Sequence, residues 1–422
     1  MIFWPRMALN QFLVRVWLML PELTLFVVFV FGYFVYRKVG IFDFYNPAVI
    51  FFYAHFLMLG VGGFYRTLYQ DVVPIGDNVI YIVSFSLLSF LFGVLVSQLV
   101  IWGRSRGASR LSVIVQPVAA SRSPLMLLLT FALPIMFFLI FTMKVGGFLW
   151  LMDDMDSMRV ELRRGLGPIV LLGIASCFVC SILLIHTLRP NLFIAFSLIA
   201  IFSIIAGSYG NRAPAGFVLL SSFYYYYTTI RRPPNFWFLL IAFLVFFTFL
   251  MALNIVRQGL DFTWYMVFAQ VLWRPFVNFQ NLDLLHQAVV KYGELQYGYG
   301  FLRDLFVLIP GYSGNNAEWI KDYLGLEFSG GGVTITYIGD LLINFSLWPV
   351  FAFVFFLGFI FNVSYYFMLV LGVSRCVMLI VSFSSMAVIS SGFVPPIINV
   401  LVPFLMVYFF LFFLRLFLNQ IS

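Results

Sequence analysis

Six arginines of this sequence have side chains suited to binding a phosphate group and lie between the long apolar runs rather than within them. They are Arg159, Arg163, Arg212, Arg257, Arg274 and Arg303. A guanidinium group presents a planar fork of N–H donors that matches the oxygens of a phosphate. Several such groups converging at a membrane surface would suit a lipid-linked diphosphate.

Some of these arginines also have a purely structural interpretation. Arg159 and Arg163 are four residues apart, share one helical face, and can pair with the acids around them. Arg257 can serve as an interfacial anchor. A functional role is favoured for Arg212, in a very short turn, and for Arg274, between Trp273 and Pro275, because no acid is adjacent to either in sequence.

His286 is a candidate general base, because the imidazole group titrates near neutral pH. Asp283 precedes it by three residues on the same helical face and could orient the ring or raise its pKa. A histidine on a half-buried helix can equally be structural. His55 and His186 lie within apolar runs, where we expect them to form internal hydrogen bonds.

The sequence lacks the motifs typical of metal and nucleotide sites. It has no HExxH motif, no close histidine pair, no acid cluster at ligand spacing, and no Walker-type or GxGxxG loop. Cys177 and Cys180 have CxxC spacing but lie in the middle of the apolar run Ile169–Leu188, which predicts buried, unpaired thiols. We therefore expect no metal and no cofactor.

The composition of the chain is that of a membrane protein. Of its 422 residues 63% are hydrophobic and 9% are charged, and 55 are phenylalanine. Runs such as Phe238–Leu250 lack the alternation of a membrane β-strand. The sequence therefore predicts an all-α polytopic integral membrane protein with one membrane domain, residues 1–422. The net charge of +8 fits basic residues at span ends rather than nucleic-acid binding.

About eleven windows are long and apolar enough to span a bilayer, which predicts eleven or twelve transmembrane helices. The windows are approximately 16–36, 48–65, 79–102, 124–143, 166–188, 191–207, 214–230, 235–256, 346–370, 376–393 and 397–417. The short loop Gly103–Ser123 carries four arginines and no acid, so the positive-inside rule places it in the cytoplasm. Alternation then places the N-terminus and the longest polar segment outside.

That segment, Arg257–Val333, is the only long stretch that a bilayer could not readily hold. Its 77 residues contain seven of the sixteen acids of the chain. Aromatic and aliphatic residues are dense between Trp264 and Leu285, which predicts helices at the interface or folded back on the bundle. Ser329–Gly332 is typical of a hinge. We therefore predict one large, partly helical periplasmic loop that acts as a lid.

Three motifs occur here in the order found in a known family. They are the turn Gly207–Arg212 between two central spans, an arginine-bearing hydrophobic helix around Arg274, and the run Tyr299–Pro310 followed by Lys321. A small-residue stretch and Ile338–Phe345 then lead into a span. In this layout the chain resembles the Wzy-type oligosaccharide repeat-unit polymerases, or O-antigen polymerases. It departs from them at Pro310-Gly311, where the family usually has Pro-Arg or Pro-Lys.

The resemblance implies an inverting, metal-independent glycosyltransferase of the C type in the bacterial inner membrane. Such an enzyme transfers a growing glycan from undecaprenyl diphosphate onto a new lipid-linked repeat unit at the periplasmic face. It thereby builds O-antigen, the polysaccharide of lipopolysaccharide, or a related surface polysaccharide. The implied partners are the lipid-linked oligosaccharide, membrane lipid and a chain-length regulator, and no nucleic acid.

The resemblance also implies roles for individual residues. The outer arginines are expected to hold the diphosphates, with Arg212, Arg274 and Arg303 matching the family best. Stabilised negative charge on the leaving group would allow the sugar–diphosphate bond to break without a metal. An acceptor hydroxyl would then need a base. The candidates for that base are His286, Asp283 and Asp304.

Two other functions fit parts of the sequence. An O-antigen ligase has a similar architecture but transfers the glycan to a lipid A core. A flippase or transporter of lipid-linked sugars belongs to a different class and should show internal symmetry and charges within its spans. The predicted spans are nearly free of charge and the polar residues collect in one loop, which favours the enzyme.

Overall fold

The computed structural model of the chain describes residues 23–37, 43–62, 76–105, 124–147, 165–188, 192–209, 212–229, 248, 263–306, 316–327 and 333–421. Every regular element within these residues is a helix. This confirms the prediction of an all-α protein at the level of secondary structure. Residues 235–256, predicted as a span, lie outside the described residues except for residue 248.

Fourteen helical elements are named here in chain order, two of them containing a π-helical turn. They are α1 (Leu23–Tyr36), α2 (Pro47–His55 with the π turn Phe56–Gly60), α3 (Asp77–Ser105), α4 (Pro124–Val145), α5 (Gly167–Thr187), α6 (Leu192–Ser208), α7 (Arg212–Thr229), α8 (Trp264–Tyr292), α9 (Tyr299–Phe306), α10 (Asn316–Tyr323), α11 (Tyr337–Phe345), α12 (Leu347–Val370), α13 (Arg375–Ser391) and α14 (Val394–Pro396, the π turn Ile397–Leu401 and Val402–Ile421).

Five of these helices contain segments long and apolar enough to cross a membrane. The segments are Asn78–Ile101, Leu125–Val145, Gly167–Thr187, Leu347–Val370 and Val394–Phe417. Shorter apolar helical segments are Leu23–Tyr36, Pro47–Gly60, Phe193–Ser208 and Arg375–Ser391. A bilayer favours helices because all their backbone hydrogen bonds are made within the segment. These lengths and compositions support a membrane protein; the orientation of the spans stays a prediction.

The helices pack around two large apolar clusters. One is formed mainly by α4 to α7 together with α12, α13 and α14, and the other mainly by α1, α2, α3, α8, α11 and α12. Helix α5 lies deep in the first cluster, and its Cys177 and Cys180 are fully buried free thiols, as predicted. Helix α12 contributes to both clusters and thereby joins them.

Helices α3 and α12 pack extensively against each other, and two glycines allow their close approach. A Cβ atom added at Gly93 would overlap the carbonyl oxygen of Phe355, and one added at Gly358 would overlap that of Phe90. Small residues at a helix crossing let two backbones touch, which is the main source of attraction between helices in lipid. The spacing of α3 and α12 therefore depends on these two positions.

We expect Gly93→Ala to weaken the fold. Because the atom in the way belongs to the backbone of α12, the helices must separate, at a cost of about 2 kcal/mol. The check is the melting temperature of the detergent-purified protein. Gly167→Ala is the matched control, because an added Cβ there meets no atom within 4 Å. Equal melting temperatures for the two variants would contradict the assigned packing.

Some polar side chains inside the bundle connect helices through hydrogen bonds. The Asn46 amide donates to Asn362 Oδ1 over 3.3 Å, and the Asn362 amide donates to Ser97 Oγ over 2.7 Å, which links α2, α12 and α3. His55 Nδ1 lies 2.8 Å from the hydroxyl of Tyr337, so this histidine has the internal hydrogen bond that the sequence predicted. Such bonds also hold α11 against α2, where α11 supports the site described next.

Candidate functional site

Helix α8 carries Asp283 and His286 and lies against the bundle. It packs on the π turn of α2, on α3 and on α11, and its Phe276, Phe279 and Leu282 are part of the second apolar cluster. The carboxylate of Asp283 is buried. Its Oδ1 accepts from the backbone N–H of Gly76 over 3.3 Å and its Oδ2 from the amide of Gln287 over 2.8 Å. Asp283 thus ties the start of α3 to α8.

His286 is half-buried on the same helix. Burial lowers the pKa of its imidazole, and the nearby charge of Asp283 acts in the opposite direction with a smaller effect. The expectation that Asp283 raises this pKa therefore has the right sign, but desolvation outweighs it. A lowered pKa leaves the imidazole neutral at pH 7, which is the form that can accept a proton.

The two short helices α9 and α10 carry Arg303 and the aromatic rings that contact it. The guanidinium of Arg303 lies over two aromatic rings, 4.3 Å from the centroid of Trp319 and 5.0 Å from that of Tyr299. The ring of Trp319 stacks in turn on Tyr323, with centroids 5.0 Å apart. The buried Nη1 of Arg303 has no hydrogen-bond partner among the described residues. Cation–π contact positions this arginine while leaving one of its donor groups unused.

Next to Arg303, a buried carboxylate–amide network joins α9, α10 and α11. Asp304 accepts from the backbone N–H of Asn316 over 3.0 Å. The side-chain amide of Asn316 donates to Asp340 Oδ1 over 3.1 Å, and that of Asn344 donates to the same oxygen over 3.2 Å. All four side chains are buried. The network holds the two short helices against α11.

Asp340 also binds the turn that leads into α14. Its Oδ2 accepts from the backbone N–H of Phe393 over 3.2 Å. A Cβ at Gly392 would lie only 2.6 Å from this oxygen, and Gly392 has φ +80, so a glycine is required there by both space and conformation. Asp340 is therefore the point where α10, α11 and the start of α14 meet.

Both acids of this network have raised pKa values. The pKa of Asp340 is raised to about 7, mainly by burial; the Phe393 N–H acts to lower it and the nearby Asp304 to raise it. Burial also raises the pKa of Asp304, against the hydrogen bond from Asn316. Two buried carboxyl groups with raised pKa values, close enough to influence each other, are typical of sites that exchange protons.

The raised pKa of Asp340 predicts that the free energy of unfolding depends on pH. Between about pH 4 and 7 the folded state keeps the Asp340 proton that the unfolded chain releases, so stability falls as pH rises, by up to roughly 4 kcal/mol. His286 acts in the opposite sense below about pH 6.5, because its pKa is lowered.

The measurement is the melting temperature of wild type minus that of Asp340→Asn, since both proteins contain His286. The difference should decline from pH 5 to 7.5. Parallel curves for the two proteins would show that Asp340 does not carry this effect.

A cavity of about 10 Å³ lies between α8, α10 and α11. Its lining includes Asn281, Ile320, Thr334 and Gly339. This volume is at the lower limit for one water molecule. A substrate group cannot occupy it in the conformation described.

The structure describes some of the predicted site residues and not others. It brings Arg303 and Asp304 together on α9, and it places Asp283 and His286 on α8. Arg212 begins α7 and Arg274 lies within α8, but their side chains lie outside the described part of the chain. Arg159, Arg163 and Arg257 lie outside the described residues altogether.

Asp340, Asn316 and Asn344 are central to the network, yet none was predicted as a site residue. A signal for two of them is present in the sequence. Asp340 and Asn344 are four apart in Ile338–Phe345, so they share one face of an otherwise apolar helix. A buried acid on such a face needs hydrogen-bond partners. Nothing in the sequence indicates that Asn316 supplies one.

Comparison of the chain with protein-family models, with curated proteins and with solved structures finds no match.

Proposed function

We propose that this protein is a membrane-embedded glycosyltransferase, a polymerase that transfers a growing undecaprenyl-diphosphate-linked glycan onto a new lipid-linked repeat unit. In this proposal the reaction takes place at the periplasmic face of the bacterial inner membrane and builds O-antigen or a related surface polysaccharide.

The observation that carries the proposal is the environment of Arg303. Aromatic rings hold its guanidinium from α9 and α10, and its buried Nη1 has no partner among the described residues. A buried cationic donor without a partner is costly unless an anionic ligand binds it. A diphosphate supplies oxygen acceptors for the guanidinium fork, and cation–π contact preorganises the fork for them.

Helix α9 is also suited to a membrane surface. Tyr299, Leu302 and Leu305 are exposed apolar residues at spacings of three, whereas Asp304 is buried and Arg303 is half-buried. A short amphipathic helix of this kind lies with its apolar face in the lipid boundary. The arginine would then meet the diphosphate of a lipid carrier at the depth where that headgroup lies.

The proposed chemistry needs a stabilised leaving group and a base. Arg303, with Arg212 and Arg274 as proposed further members of the clamp, would stabilise charge that develops on the leaving diphosphate. The acceptor hydroxyl would lose its proton to a group that is unprotonated at neutral pH. The neutral imidazole of His286 meets that requirement, and Asp304 is the alternative.

The test is deletion of the gene in its host, followed by gel analysis of the surface glycan. Loss of the long-chain ladder with a single repeat unit still on its anchor is the expected result. Lipid-linked polymer that accumulates without reaching the anchor would instead identify a ligase. Repeat units trapped inside the cell, with no surface glycan, would identify a flippase. Either of the last two outcomes overturns the proposal.

A further inference from the structure

Several described side chains contain buried polar atoms without a hydrogen-bond partner among the described residues, and three of these side chains lie on or next to α9. Their unpaired atoms are Nε2 and Oε1 of Gln296, Oδ1 of Asn316 and Nη1 of Arg303. Buried polar atoms in folded proteins nearly always have a partner, so each exception requires an explanation. These three lie close together in sequence, just before α9, within α9 and at the start of α10, whereas the other exceptions are spread along the described chain.

Two of these side chains and Asn344 converge on one point in space. A Cβ atom placed on Gly300 would lie 2.5 Å from Gln296 Oε1 and 2.9 Å from the amide nitrogens of Asn316 and Asn344. Asn344 is held in place, because its Oδ1 accepts from the N–H groups of Gly298 and Gly300. We call Gln296, Asn316 and Asn344 the amide cluster. It surrounds Gly300, which precedes Arg303 by three residues on α9.

The chemistry of the unpaired atoms selects a class of ligand. The amide cluster leaves one donor and two acceptors unused. An anion needs donors alone and a metal cation needs acceptors alone, whereas a hydroxyl group both donates and accepts. The ring of Tyr299 lies beside Arg303 and is 47% exposed, so it offers a flat apolar surface of the kind that packs against the C–H groups of a sugar ring.

We infer that the amide cluster is a sugar-binding subsite that takes the hydroxyl groups of one ring of the lipid-linked glycan, beside the diphosphate held by Arg303. The inference rests on the proposed function, since that function supplies a glycan next to a diphosphate. The unpaired atoms have no contact with solvent in the conformation described. The ligand therefore reaches them when α9 and α10 move apart.

Gln296→Met tests this subsite without breaking a known bond of the protein. Methionine has nearly the same length, and the amide that it replaces has no partner in the described structure. Gln280→Met on α8 is the matched control, because Gln280 lies outside the cluster. The full-length protein is purified in nanodiscs. The probes are inorganic pyrophosphate and the phosphate-free repeat-unit oligosaccharide, released by mild acid from the lipid-linked material of a host lacking the gene.

Titrations followed by saturation-transfer NMR give a Kd for each probe. We expect Gln296→Met to raise the Kd for the oligosaccharide roughly tenfold and to leave that for pyrophosphate unchanged. The melting temperature should stay the same or rise, because a buried unpaired amide has been removed. Gln280→Met should leave both Kd values unchanged.

Unchanged oligosaccharide binding in Gln296→Met, or no oligosaccharide binding by wild type, would overturn the inference. A lower melting temperature with unchanged binding would assign the amides to ordered water and would overturn it as well. Pyrophosphate binding that still depends on Arg303 would in either case leave the proposed function standing. The proposed function fails by itself if the oligosaccharide binds through Gln296 but pyrophosphate binding and polymer formation do not depend on Arg303.

Discussion

Replacing Arg303 by alanine should abolish the long-chain polymer while the protein stays in the membrane at its normal level. The guanidinium is held by Trp319 and Tyr299 and has a buried donor without a partner among the described residues. Loss of a group that stabilises developing charge in the transition state typically lowers a rate by about 100- to 1,000-fold. The measurement is the glycan ladder of the complemented deletion strain, together with the turnover of purified lipid-linked repeat units.

Two further variants separate the role of Arg303 from that of positive charge alone. Arg303→Lys keeps the charge but loses the planar fork and the stacking, so we expect only partial activity. Lys291→Ala removes an exposed positive charge near the end of α8 and should have no effect. A normal ladder in Arg303→Ala would rule out the diphosphate role of this residue.

Asp340→Ala should destabilise the protein more than any other single change in the carboxylate–amide network. The carboxylate accepts from Phe393 N–H, from the Asn316 amide and from the Asn344 amide. The Asn344 amide also donates to the backbone oxygen of Asp340 and keeps that bond in the variant. The Phe393 N–H and the Asn316 amide lose their acceptor. Buried donors left unsatisfied cost about 1–3 kcal/mol each, so a total near 4 kcal/mol is expected.

Asp340→Ala should also loosen α9 and α10 locally, in addition to lowering the stability of the whole protein. Hydrogen exchange should show faster exchange of the amides of α9 and α10, because Asp340 connects α10 to α11 and to the turn before α14. Asp322→Ala removes an exposed acid of α10 and is the matched control. Protection of α9 and α10 that is equal in wild type and Asp340→Ala would contradict the role of Asp340 as their anchor.

The sequence predicted the class of fold and most of the helices. Ten of the eleven predicted spans overlap a described helix, and the thiols of Cys177 and Cys180 are buried as expected. The reason is physical, since a long apolar run in lipid can satisfy its backbone only as a helix. The orientation of the spans in the membrane depends on the charges of the loops, and secondary structure does not reveal it.

The site was predicted in part. Arg303 was predicted to bind diphosphate and Asp304 to be a candidate base; both lie on α9, and their roles stay predictions. Asp283 was expected to orient His286 or raise its pKa; it does act to raise the pKa, but burial has the larger effect and lowers it. Burial of a side chain is decided by elements distant in sequence, and a spacing of three residues carries no information about them.

The sequence alone therefore determined what needs only local information, namely which segments are helical, which are apolar enough for a membrane, and where the charges are concentrated. Only the tertiary structure decided that Asn316 lies between Asp304 and Asp340, which are 36 positions apart in the chain. It also decided that Gly93 and Gly358 lie where α3 and α12 touch. Contacts of this kind follow from the packing of whole helices, which depends on the shapes of both partners at once.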